Sequence, residues 1–193
     1  MILTARVIDD SLKEYSNRPC KLGRLVRDGK YHRIIRGLYE TDPETKGEYL
    51  AQAIYAPSYL SFEYALSKYG LIPEAVFVYT SATFRKRRSK TYHTDFGTFT
   101  YRDVPDRAFP HYLRYVSAED RGYWIAEPEK ALCDKIYTIE PMNSRRKMET
   151  LLFDDLRIDE ERFAELDAER LTVLSELYGS TNIRLLVQVR EWI

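Results

Sequence analysis

Hydrophobic periodicity changes twice along these 193 residues, and the two changes limit the possible folds more than any single motif does. Ala5, Ile8, Leu12 and Tyr15 recur at helical spacing. From about Ala75 to Ala126, β-branched and aromatic residues gather into short runs separated by turn residues, and beyond Glu127 the helical period returns. The order helix, strand, helix predicts an α+β fold with a helical C-terminal tail.

Local punctuation divides this plan into elements. Residues 4 to 15 read as an amphipathic helix ended by the turn-forming "SNRP"; Leu22, Leu25 and Val26 form the stripe of a second helix, with Gly29 as its stop. "KYHRIIRGLYE" suits two short strands turning at Arg36-Gly37. "TDPETKG" at 41 to 47 is the best linker, which predicts one unit over 1–43 and a second over 44–193. In the second unit, residues 48 to 56 look helical. A further helix is expected from Ser58 as N-cap to Gly70, stacking Tyr59, Phe62, Leu66 and Tyr69 on one face. "AVFVYTSAT" reads as a strand, "KTYHTDFGTFTYRDV" as a hairpin turning near Phe96-Gly97, and "YLRYVSAEDRGYWIA" as one or two strands. Pro128 fits the first turn of a helix over "AEPEKALCDKIYT", and three more helices follow Arg145, the last spanning Thr181 to Trp192.

With 44% apolar residues the chain can bury a real core, and no run approaches the 18 apolar residues of a membrane span. "MILTARVIDD" meets Arg6 and two aspartates before any signal-peptide core could form, so a cytoplasmic protein is expected. Cys20 and Cys133 lie far apart without a CxxC, and His32, His93 and His111 share no zinc-like spacing with them; no structural metal or cofactor is expected, and each cysteine reads as a buried small hydrophobe.

The 30 basic and 30 acidic residues cancel, yet their placement is uneven. Residues 149 to 176 hold ten acids against three arginines. Residues 18 to 36 hold Arg18, Lys21, Arg24, Arg27, Lys30, Arg33 and Arg36 against Asp28 alone, and "RKRRSK" adds Arg85, Lys86, Arg87, Arg88 and Lys90. Potential within a Debye length, not net charge, attracts a polyanion. A short helix with outward cations followed at once by a basic hairpin is the arrangement of a winged helix, in which the helix enters the major groove and the wing touches the backbone. Only about sixteen residues precede the second helix, so this would be a trimmed version. The cluster at 85 to 90 reads either as charge guarding a strand edge or as a second contact patch for DNA, RNA or an acidic surface.

"KLGRLVRDGKYHRIIRGLY", "YAPSYLSFEYALSKYGLIPEAV", "YTSATFRKRRSKTYHTDFGTFTYRDV" and "IAEPEKALCDKIY", in that order, resemble the AbiEi-type antitoxins of two-gene bacterial toxin–antitoxin (abortive infection) systems, over roughly residues 20 to 190. The resemblance implies an N-terminal winged-helix DNA-binding domain that represses its own promoter, joined to an antitoxin domain that counters a nucleotidyltransferase toxin without a stable complex. It places Lys21, Arg24 and Arg27 on the helix and Arg33 and Arg36 on the wing as contacts to double-stranded DNA. The alternative is an interaction module with little sequence-specific DNA binding.

Enzymatic readings lack their parts. A PD-(D/E)xK nuclease would need a carboxylate two residues before Lys130, where Pro128 stands, although Asp106, Glu127 and Glu129 are present; Glu44-Thr45-Lys46 fits the triplet but falls in the linker. Glu127 and Glu129 read more simply as acids at a helix start. No GxSxG, P-loop, GxGxxG or HExxH occurs, so the chain is expected not to be an enzyme.

Overall fold

The computed structural model describes residues 1–118 and 121–193 and has an α+β architecture. It opens with a strand that periodicity did not reveal, β1 (Ile2–Thr4), because these three residues pair antiparallel with β3 (Leu38–Glu40). The Thr4 hydroxyl then caps α1 (Ala5–Ser11), which is shorter than the expected 4 to 15. Asn17 caps α2 (Arg18–Arg27), its side-chain oxygen accepting from the Cys20 amide at 3.1 Å, with Pro19 in the first turn and Gly29 at φ 70° closing the end. β2 (His32–Ile35) and β3 form the expected hairpin, turning at Gly37, whose φ of 84° a side chain would strain. The three-stranded sheet has the order β1-β3-β2.

The larger sheet is mixed and six-stranded, in the order β6-β7-β5-β4-β9-β8. Its central strand, β4 (Tyr59–Leu60), is only two residues long: it pairs antiparallel with β5 (Tyr79–Thr83) and parallel with β9 (Arg121–Ala126). That pairing corrects the helix expected from Ser58. Strand partners on both sides claim Tyr59 and Leu60, and α4 (Phe62–Lys68) starts only after Ser61. Ahead of β4 the expected helix over 48 to 56 shrinks to a 3₁₀ turn (Gly47–Tyr49) and one turn of α3 (Ala51–Ile54). β6 (Lys90–Thr94) and β7 (Gly97–Asp103) make the predicted hairpin, while β8 (Leu113–Ala118) pairs with β9; residues 119 and 120 of that stretch lie outside the described residues.

The tail wraps α5 (Pro128–Tyr137), which is buried at Glu129 to Asp134 and again at Ile136. Four helices follow Arg145, not three: α6 (Arg145–Thr150) runs into a π-helical turn (Leu151–Asp155), the expected helix through Leu166 splits into α7 (Glu160–Ala164) and α8 (Ala168–Tyr178), and α9 spans Thr181–Trp192. The split follows from Asp159 and Asp167, each of which caps a helix of its own. Phe62, Leu66, Leu132, Phe163, Leu174 and Leu186 belong to one apolar core, which also takes in Ile34 and Leu38 of the small sheet. A polar link joins the sheets: Arg121 donates to buried Glu40 at 3.2 Å and to Thr45 at 2.7 Å. Burial works to raise the Glu40 pKa, but hydrogen bonds from the chain's amino terminus and from the Thr41 and Asp42 amides outweigh it and hold the carboxylate below its ordinary value. Among the described residues no helix is long and apolar enough to cross a membrane.

Candidate nucleic-acid interface

The first basic cluster occupies α2 and the hairpin. Arg18, half-buried at the start of α2, is paired with Asp9 of α1 at 2.7 Å, and the Lys21 ammonium lies 4.7 Å from the centre of the Tyr15 ring. These two cations anchor α2 to the segment before it. Arg24, Arg27, Lys30, Arg33 and Arg36 are all exposed and form no ion pair with any described residue. Leu25 accepts hydrogen bonds from the Lys30 and Tyr31 amides, so the hairpin begins directly against the last turn of α2 and the five cations stay local. None of the seven forms an ion pair with the acidic stretch 149–176, whose acids pair, among the described residues, with Arg145, Arg162 and Arg170.

The outward face of α2 carries Cys20, Gly23, Arg24 and Arg27, and a Cβ built on Gly23 would meet nothing within 4 Å. A helix with small residues at the centre of its exposed face and arginines toward one end permits close approach to a groove or a phosphate chain. Cys20 is exposed, against the expectation of burial, because it lies on the face of α2 opposite the half-buried stripe of Leu22, Leu25 and Val26. Cys133 does match that expectation, and burial pushes its thiol pKa far up.

The second cluster forms the loop before edge strand β6. Arg85 is paired with Asp106; the Lys86 ammonium donates to the Ala56 carbonyl at 2.9 Å and lies 4.8 Å from the centre of the Tyr55 ring. The Asp103 carboxylate accepts from the Arg87 amide at 2.6 Å and from Thr83 at 2.5 Å, which fixes a loop whose Arg85 and Arg87 have φ of 57° and 58°. The Arg87 and Arg88 side chains are exposed and form no ion pair with any described residue; Lys90 sits in β6 opposite Tyr101.

The residues weighed as nuclease parts are engaged elsewhere. Asp106 holds Arg85, Glu127 holds Arg170, and Glu129 accepts from the Asp167 amide at 2.9 Å. Lys130 points into the core. Its ammonium donates to Asp134 at 2.9 Å and to the Tyr178 hydroxyl, and Asp134 also accepts from Ser61 at 2.5 Å, from Tyr59 at 3.1 Å and from Tyr178. Burial, together with the Asp134 charge, raises the Tyr59 and Tyr178 pKa values far above the ordinary phenol, so both remain donors. Sequence reading missed this network. Its one local signal, Lys130 and Asp134 four residues apart on a helix, usually marks a solvated pair. Among the described residues no group of three or more His, Cys, Asp and Glu side chains is placed to hold a metal ion. Neither protein-family models nor the curated proteins contain a match to this chain.

Proposed function

We propose that this chain is a cytoplasmic antitoxin of a bacterial two-gene toxin–antitoxin system: a transcriptional autorepressor that binds double-stranded DNA of its own promoter and counters a nucleotidyltransferase toxin without forming a stable complex. In this reading residues 1–43 are a winged helix reduced to its last two helices and its wing, and 44–193 the antitoxin domain. The observation that carries the DNA half is the set Arg24, Arg27, Lys30, Arg33 and Arg36, exposed and unpaired among the described residues where α2 meets the hairpin. A cation already held by a carboxylate must give that contact up before binding phosphate; these five need not. The antitoxin half rests on the resemblance in residues 20 to 190 alone.

Duplex from the region upstream of the gene is expected to bind more tightly than random duplex, and Arg24→Ala with Arg33→Ala to abolish the difference, read by mobility shift. Equal binding of both duplexes overturns the repressor reading. Co-expression with the neighbouring toxin gene is expected to restore growth, and to do so equally for the Arg24→Ala/Arg33→Ala protein.

One observation favours the second reading, an antitoxin module without sequence-specific DNA binding: no residue of α2 is fully buried, so the helix is held mainly by half-buried Leu22, Leu25 and Val26. Base readout needs a helix held rigidly.

A further inference from the structure

The basic loop at 85 to 90 does not stand alone. Phe84, at its base, packs on Phe109 with ring centres 4.5 Å apart, and Phe109 packs on Tyr59 at 5.0 Å. Tyr59 and Phe109 are walls of a cleft of about 290 Å³, closed on its other sides by Pro57, Pro110, Leu113 and Trp124. Trp124 is 41% exposed and lies beside Tyr115, 52% exposed, with ring centres 5.2 Å apart; the two are cross-strand partners on β9 and β8. Gly122 accounts for the position of Tyr115: a Cβ there would fall 2.2 Å from the phenol oxygen, so only glycine lets the ring lie across the strand. The result is an aromatic shelf on the edge hairpin, a ring-sized cleft beside it, and a rigidly held cationic loop connected to that cleft through Phe84 and Phe109.

Exposed aromatic area costs solubility unless something stacks on it, and through Phe109 and Phe84 this area connects to a loop that carries five cations, of which Arg85 is paired with Asp106. Flat apolar rings give the face of an unpaired base something to stack on, and adjacent arginines take the phosphates that follow it. A duplex keeps its base faces stacked inside and offers the shelf nothing. We infer that the shelf Tyr115–Trp124, the Tyr59–Phe109 cleft and the loop Arg85–Lys90 together form a binding site for unpaired nucleotides of a single-stranded nucleic acid, with Trp124 stacking a base and Arg87 and Arg88 holding its phosphates. This site is separate from α2 and the hairpin and goes beyond the reading above.

The test uses the full chain. Trp124 and Trp192 are the two tryptophans, so in a Trp192→Phe background the fluorescence reports Trp124 alone. Titration with a homopolymeric single-stranded RNA, the matching single-stranded DNA and a blunt duplex is expected to quench with the single strands and not with the duplex. The tighter of the two strands identifies which kind the site serves. Tyr115→Ala is expected to weaken the strand by about tenfold. Arg87→Glu with Arg88→Glu weakens it comparably and flattens its salt dependence by about two phosphates. Trp124→Leu, which keeps the apolar volume but not the flat ring, is followed by the anisotropy of a labelled strand and is expected to lose affinity while its melting temperature stays near that of the parent. Arg24→Ala/Arg33→Ala protein quenches as the parent does, which separates this site from the duplex-binding proposal. Failure of both strands to quench, quenching by duplex alone, or unchanged affinity in the Tyr115 and Arg87/Arg88 variants overturns the inference.

Discussion

Lys130 and Asp134 are both without solvent exposure, the one ion pair among the described residues of which that is true. Removing the ammonium would leave a buried carboxylate supported only by the hydroxyls of Ser61, Tyr59 and Tyr178. Deleting one partner of a buried ion pair costs about 3 to 5 kcal/mol, and three remaining donors put Lys130→Met near the lower end. For a chain of this size that corresponds to a fall in melting temperature of roughly 10 °C. Adding Asp134→Asn should restore part of it, because the amide oxygen still accepts from the hydroxyls without carrying charge. An unchanged melting temperature for Lys130→Met would refute the assignment. Glu63 gives a pH-dependent counterpart. Burial works to raise its pKa, but Arg102, which also lies over the Phe62 ring, and Lys135 outweigh it and bring the carboxyl down from 4.5 to about 2. A depressed folded-state pKa means that the ionised form stabilises the fold above about pH 4.5 and that this contribution is lost as pH falls toward 2. Glu63→Gln should therefore show a flatter acid limb over that window in urea unfolding.

Among the elements, α2 is a helix with no fully buried residue, and its ends matter correspondingly more. Losing the Asn17 side-chain bond to the Cys20 amide costs about 1 kcal/mol, which should speed amide exchange in α2 by about fivefold while leaving α5 unchanged in Asn17→Ala. Cys20 tests the outward face directly. A maleimide should label it in the folded protein and leave Cys133 untouched until unfolding, and the labelled protein should lose duplex binding. Retained binding would mean that the nucleic acid does not approach α2 along Cys20, Gly23 and Arg24. β4 makes the opposite point. Its two residues carry no strand signal of their own, and "SYLSFEYAL" has a sound helical stripe. Pairing with β5 and β9 outweighs that stripe because Tyr59 and Leu60 are almost wholly buried between neighbours on both sides.

For the whole molecule, charge is balanced in sum and segregated along the chain. A protein with no net charge should nonetheless bind duplex with strong salt dependence, because among the described residues the basic set at α2 and the hairpin forms no ion pair with the acids at 149–176. Neutralising about five phosphates predicts a slope of log affinity against log salt near −4.5, reduced in magnitude by about 2 in Arg24→Ala/Arg33→Ala. A slope near zero would show that the cations are not in the interface. The sequence by itself determined the α+β class, α2 with its stop at Gly29, the hairpin turns at Gly37 and Gly97, and the extents of α5 and α9. Caps, positive-φ turns and a 3.6-residue period act within a few residues of chain. Only the tertiary structure decided the strand order, the central place of β4, the burial of Lys130 and Asp134, and the packing of Phe84 on Phe109 beside the cleft that Trp124 lines. Each of those depends on partners dozens of residues apart, whose contact is set by how the whole sheet and its helices close on one core, and no local propensity records that.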